Sequence, residues 1–141
     1  MNTPACQWKF VLCDAAGRVI QIVCNFYGLH GYANLTALPA GLTMLQMQNN
    51  NLTGTPDLTT LPAGLNNLDL IANQMTGTPN LAALPAGLQV LMLDENQFTG
   101  NGTFAYPHLW CADDPLSGMC GRGIPVVFDC TSGVWRCGAA W

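Results

Sequence analysis

Charge is scarce in this chain of 141 residues: Lys and Arg together number 4, Asp and Glu 8, for a net charge of −4. With so few cations and no basic cluster, the composition argues against nucleic acid and anionic membrane surfaces as partners. No apolar run is long enough to cross a bilayer, so direct membrane insertion is not expected. The opening MNTPACQWKF has no charged start followed by an apolar stretch, the mark of a signal peptide. The closing RCGAAW lacks the hydrophobic tail of a lipid-anchor signal. An exported protein of this sequence would be a mature form or a piece of a longer chain.

The usual chemistry of enzymes is also missing. The two histidines, His30 and His108, have no Ser, Cys or carboxylate at motif spacing. The cysteines form none of the C-x₂-C knuckles typical of zinc sites. Asp113-Asp114 sits in no chelating loop, and DDPLSG reads as a turn. No phosphate-binding glycine loop is present. We expect no catalytic residue, no metal, no cofactor and no enzymatic activity.

Cysteine is absent from residues 25–110, although the chain has 7. Cys6, Cys13 and Cys24 stand near the start; Cys111, Cys120, Cys130 and Cys137 stand near the end. Cysteines at both ends of a cysteine-free middle suggest disulfide-closed caps and an oxidising compartment. Three Asn-x-Thr sequons, at Asn34, Asn51 and Asn101, agree with an extracellular or cell-surface location.

What is present is a period. LPAGL occurs at Leu38–Leu42, Leu61–Leu65 and Leu84–Leu88, 23 residues apart each time. Behind it, Leu42-x-x-Leu45-x-Met47-x-x-Asn50-x-Leu52 matches Leu65, Leu68, Leu70, Asn73 and Met75. It matches Leu88, Leu91, Leu93, Asn96 and Phe98 in turn. Thr-Gly follows each block, at Thr53-Gly54, Thr76-Gly77 and Thr99-Gly100. One step earlier, Val19, Ile22, Cys24, Tyr27 and Leu29 fill the same slots without the Asn. The organisation is an N-terminal cap over 1–18, four units over 19–103 and a C-terminal cap over 104–141.

The pattern resembles the leucine-rich repeat. The resemblance implies an α/β-class solenoid with a short, right-handed, curved parallel sheet. Its convex side would be turns, 3₁₀ pieces and extended chain with little helix. Alternation in each LxL turns the leucines inward, where stacked coils bury them together. Asn50, Asn73 and Asn96 are then a structural column whose amides satisfy turn backbone that stacking buries. In LPAGL the proline discourages a helix and the glycine permits a tight approach to the strand. TGTP should run extended.

CQWKFVLCDAAGRVIQIVC is similar to the N-terminal caps of extracellular repeat proteins, such as plant receptor ectodomains and kinetoplastid surface antigens. The LPxGLxxL wording also resembles bacterial effector repeats. In such a cap Trp8 would cover the end of the core and Cys6–Cys13 would be a short-loop disulfide. Four C-terminal cysteines allow three connectivities, of which Cys111–Cys120 with Cys130–Cys137 is favoured. Cys24 then lies inward as a small apolar side chain.

In this fold class the concave strand face is the usual binding surface. Alternation assigns it Gln21, Val23 and Asn25, then Met44, Gln46 and Gln48, then Asn67, Asp69 and Ile71, then Val90, Met92 and Asp94. Glu95 extends the acidic edge. The face should be four strands wide, with Asp69, Ile71, Met92 and Asp94 exposed together. The function expected is recognition of a protein or peptide ligand, or a glycoconjugate. Two other readings compete: a surface antigen or shield without a specific ligand, and an ice-binding surface built on Thr53/Thr55 and Thr76/Thr78.

Overall fold

The structure, a computed structural model, describes residues 4–81, 83–93 and 95–99, and the backbone of four short strands nearer the C-terminus. A 3₁₀ turn at Ala5–Gln7 opens the chain. The strands are β1 (Val11–Cys13), β2 (Val19–Val23), β3 (His30–Tyr32), β4 (Met44–Gln46), β5 (Asn51–Gly54), β6 (Asn67–Asp69), β7 (Gln74–Gly77), β8 (Val90–Met92) and β9 (Gln97–Phe98). Two antiparallel pairs follow: Cys120–Gly121 with Ile124–Pro125, and Val127–Asp129 with Val134–Arg136. Asp94, Asn101, Cys111, Cys130 and Cys137 lie outside the described residues, as does the side chain of Cys120. So do both expected C-terminal disulfides.

Two sheets, parallel except where β1 meets β2, wind along the chain. The first runs β1-β2-β4-β6-β8 and the second β3-β5-β7-β9. In the first, repeat-equivalent residues stack: Gln21 on Met44, Met44 on Asn67 and Asn67 on Val90. The second sheet was expected only as extended chain. It forms because the residues leading into and including each Thr-Gly make a strand of their own, pairing His30 with Asn51, Thr53 with Gln74 and Thr76 with Gln97. The result is a leucine-rich-repeat-like parallel β-solenoid with almost no helix among the described residues.

Between the sheets lies one core. Leu45, Leu68 and Leu91 enter it from the first sheet, and Leu52, Met75 and Phe98 from the second. Leu35, Leu58 and Leu81 close it from the return leg. In each LPAGL a turn bond runs from the last leucine to the proline carbonyl: Leu42 to Pro39, Leu65 to Pro62 and Leu88 to Pro85. The glycines of these turns need no left-handed backbone, and a Cβ at Gly87 would meet open space. The glycines that are required stand elsewhere. Gly54 and Gly77 have φ of 81° and 76°, and a Cβ there would run into Tyr32 and Thr55 respectively.

Each asparagine of the column serves two coils. Asn73 Nδ2 donates to Leu70 and Ile71 of its own coil and to Met47 of the coil before, while its Oδ1 accepts from Leu52 N. Asn50 does the same for Cys24, Tyr27 and Leu29, and Asn96 for Leu70 and Met75. The first unit has no coil beneath it, so Tyr27 in the Asn slot has no such duty. Its ring turns out and meets Phe10 at 5.9 Å. Leu29 is exposed as well, so the first unit does not bury all its repeat positions.

The cap differs from expectation in one respect. Trp8 leans on Phe10 and stays 50% exposed, so it does not cover the core end. That end is instead covered by β1, antiparallel to β2, with Val11 opposite Ile22. Cys6 and Cys13 are bonded, and Cys24 is a buried free thiol. Burial pushes the Cys24 thiol up from its ordinary value, which suppresses the reactive thiolate.

Two outcomes follow. Asn73→Ala strips buried turn backbone of several partners and should destabilise by about 1–3 kcal/mol. Gln74→Ala, which loses one exposed bond to Asn51, should change stability by no more than about 0.5 kcal/mol; equal losses in urea melts would contradict the column. Cys24 should resist iodoacetamide in the native chain and react after unfolding. Replacing both Cys6 and Cys13 by Ser should cost about 2–3 kcal/mol.

Candidate functional site

Alternation places the expected residues on one surface, the open face of the first sheet. Leu68 and Leu70 point into the core, so Asn67, Asp69 and Ile71 point away from it. Two rows cross the strands: Gln21, Met44, Asn67 and Val90, then Val23, Gln46, Asp69 and Met92. Asn25, Gln48 and Ile71 continue as a third row, where Gln48 N donates to Asn25 Oδ1 at 3.0 Å. The face is wider than expected. β1 adds a fifth strand, with Leu12 opposite Gln21.

Asp69 is not exposed with its neighbours. Only 5% of its surface is accessible, whereas Ile71 and Met92 are half-buried. It occupies the middle row of a central strand, between Gln46 and Met92. One carboxylate oxygen, Oδ1, accepts from Ile71 N at 3.1 Å. Burial raises the Asp69 carboxyl above the usual range, and the Ile71 bond opposes that only in part. Two residues earlier, Asn67 Oδ1 is buried and accepts no hydrogen bond from the described residues. Glu95 is exposed at the turn after β8.

Sequence reasoning missed the apolar surface. Among the described residues, every exposed large apolar side chain lies between Trp8 and Tyr32. Leu12, 52% exposed, and Val23 stand on strands of the open face, and Phe26 beside them is 71% exposed with a left-handed φ of 62°. The left-handed turn recurs at Asn49, Ala72 and Glu95. No glycine marks it, and its spacing of 23 was the one available signal.

The remaining candidates have structural duties. Thr55 Oγ1 donates to Thr76 O and Thr78 Oγ1 to Thr99 O, so half of each threonine pair is committed to the backbone of the next coil. Asn34 Oδ1 accepts from both the N–H and the hydroxyl of Thr36. Asp57 does the same for Thr59 one coil later, so a turn requirement helps to write the Asn34 sequon. Asn51 is exposed on β5 and accepts from Gln74 Nε2. Among the described residues no cluster of His, Cys, Asp or Glu could hold a metal ion.

No family model matches the sequence, and no curated protein matches it. Two solved structures are similar. The crystal structure of a pollen receptor kinase 3 matches over 71% of this chain and 50% of its own, with 25% identity and a TM-score of 0.57. The crystal structure of a plant ice-binding protein matches over 68% of this chain and 41% of its own, with 23% identity and a TM-score of 0.47. The chain thus spans half or less of each.

The raised Asp69 carboxyl makes a signed prediction. The folded state holds this proton to higher pH than the unfolded chain does. The stability it contributes is present below the ordinary carboxylate value and lost as pH rises through the folded value. Asp69→Asn removes the titration while keeping the shape. The variant should melt higher than wild type at neutral pH, and the gap should close on acidification to about pH 3. A gap that stays constant with pH would show that burial does not raise the Asp69 carboxyl.

Proposed function

We propose that this chain is an extracellular or cell-surface recognition module that binds an extended segment of a protein or peptide across the open face of its first sheet. The observation that carries this reading is the placement of exposed apolar groups. Leu12 and Val23 stand on the strands of that face, in the same rows as half-buried Met44, Val90 and Met92 with amides between them. An apolar floor with amide groups beside it suits a peptide backbone and its side chains. Five strands about 4.8 Å apart give the face a span of about 19 Å, enough for a segment of several residues.

The location rests on separate support. A bonded Cys6–Cys13 pair fits an oxidising compartment. Among the described residues, no helix is long and apolar enough to cross a membrane. The pollen receptor kinase supports the recognition reading as a structural likeness.

A displayed library of linear peptides provides the test. Binders enriched on the wild-type chain should lose at least about tenfold in affinity to Val23→Lys and to Met92→Lys. Thr60→Lys, on the exposed return leg, should bind as wild type does. Thermal melts of all three should match that of the parent. Full affinity in both open-face variants, or loss in Thr60→Lys alone, would move the site elsewhere.

A further inference from the structure

Asn67 and Asp69 are neighbours on one side of β6, and both offer oxygens that the chain leaves unused. Asn67 Oδ1 is buried without a donor. Asp69 binds Ile71 N through Oδ1 alone, and its Oδ2 takes no hydrogen bond from a described residue. A buried acceptor without a donor is uncommon and destabilising. A buried carboxyl without a cation is more so. The fold uses only Asp69 Oδ1, for the Ile71 N–H, and the equivalent positions in the neighbouring coils are Met44 and Gln46 on one side and Val90 and Met92 on the other.

Among the described residues no cation reaches this place, and the side chains of Arg122 and Arg136 lie outside them. The sequence has no Lys or Arg between Arg18 and Arg122. Arg18 is paired with Asp14 at 2.7 Å, and Lys9 lies over the Tyr27 ring. The surroundings are mostly apolar instead: Met44 and Val90 flank Asn67, Gln46 and Met92 flank Asp69, and Ile71 follows on the same side.

We infer that Asn67 and Asp69 form a cation anchor, which takes the side chain of a lysine or arginine presented by the bound peptide. The alkyl stem lies along Met44, Val90 and Met92, and the charged head donates to Asp69 Oδ2 and, as the Asn67 side chain turns outward, to Asn67 Oδ1. Long basic side chains suit such a site because their stem is apolar and their head carries several donors. A cation arriving there also offsets the desolvation that holds the Asp69 carboxyl up. The inference rests on the open-face reading and names the chemistry which that face selects.

Two experiments separate this inference from that reading. In the first, the folded chain is titrated with n-butylammonium and, at equal concentration, with n-butanol, while amide resonances are followed by NMR. Butylammonium should move the Ile71 N–H, which reports on the Asp69 carboxyl, and the Asn67 side-chain amide. Butanol should leave both in place, and the response should vanish in Asp69→Asn. No shift with butylammonium, an equal shift with butanol, or a response that persists in Asp69→Asn overturns the anchor.

In the second, peptides enriched on the open face should carry Lys or Arg. Replacing that residue by norleucine should weaken binding about tenfold on the wild type and not on Asp69→Asn. Enriched peptides that tolerate norleucine on the wild type overturn the anchor and leave the open-face reading standing. Butylammonium shifts without any enriched peptide would support the anchor and remove the peptide-sized partner.

Discussion

The asparagine amide is the joint on which this solenoid depends. Stacking coils of 23 residues buries the turn that leaves each strand of the first sheet, and water can no longer satisfy that backbone. A side chain with two donors and an acceptor, short enough to stay inside the turn, answers the need. Asn50, Asn73 and Asn96 each bond their own coil and the one before. The joint points backward along the chain, which explains why the first unit can carry Tyr27 in that slot. The aromatic contact of Tyr27 with Phe10 then belongs to the cap.

With the backbone fixed in this way, the two sheets carry different burdens. The second holds coils together through side chains as well as its ladder, as in the Thr55 and Thr78 hydroxyl bonds to the next coil. The first sheet keeps repeat-equivalent residues in straight rows, and its open face has fewer structural duties. There the sequence stops repeating. Met44, Asn67 and Val90 share one row and have nothing chemical in common. A face that varies while its frame stays constant is the division of labour expected of a recognition surface. The buried Asp69 and the unpaired Asn67 oxygen are its most costly departures from good packing.

Much of this was legible in the sequence because stacking leaves a period. LxL and the Asn column located the four parallel strands of the first sheet and the core of the second and third coils. The cap resemblance pointed to Cys6 and Cys13. The second sheet was harder to see. Its strands Asn51–Gly54 and Gln74–Gly77 contain Thr-Gly, a pair that reads as turn chemistry when each coil is taken alone. The fifth strand of the first sheet, Val11–Cys13, is three residues long and outside the period. Alternation gave Asp69 its side but not its depth, because depth depends on the rows on either side of it. Asp94, the other acid expected on that face, lies outside the described residues.

The second and third coils each pass twice through left-handed backbone, and the two passages have opposite consequences for change over generations. At Gly54 and Gly77 the next atom of any side chain would collide with Tyr32 or Thr55, so those letters are locked. At Phe26, Asn49, Ala72 and Glu95 the coil imposes the same twist on an aromatic, an amide, a methyl and an acid. The strain there, about 1–2 kcal/mol for a residue with a Cβ and less for an asparagine, belongs to the architecture. Selection can therefore rewrite that column beside the open face with little effect on folding. Duplication of a coil would add another blank position to it.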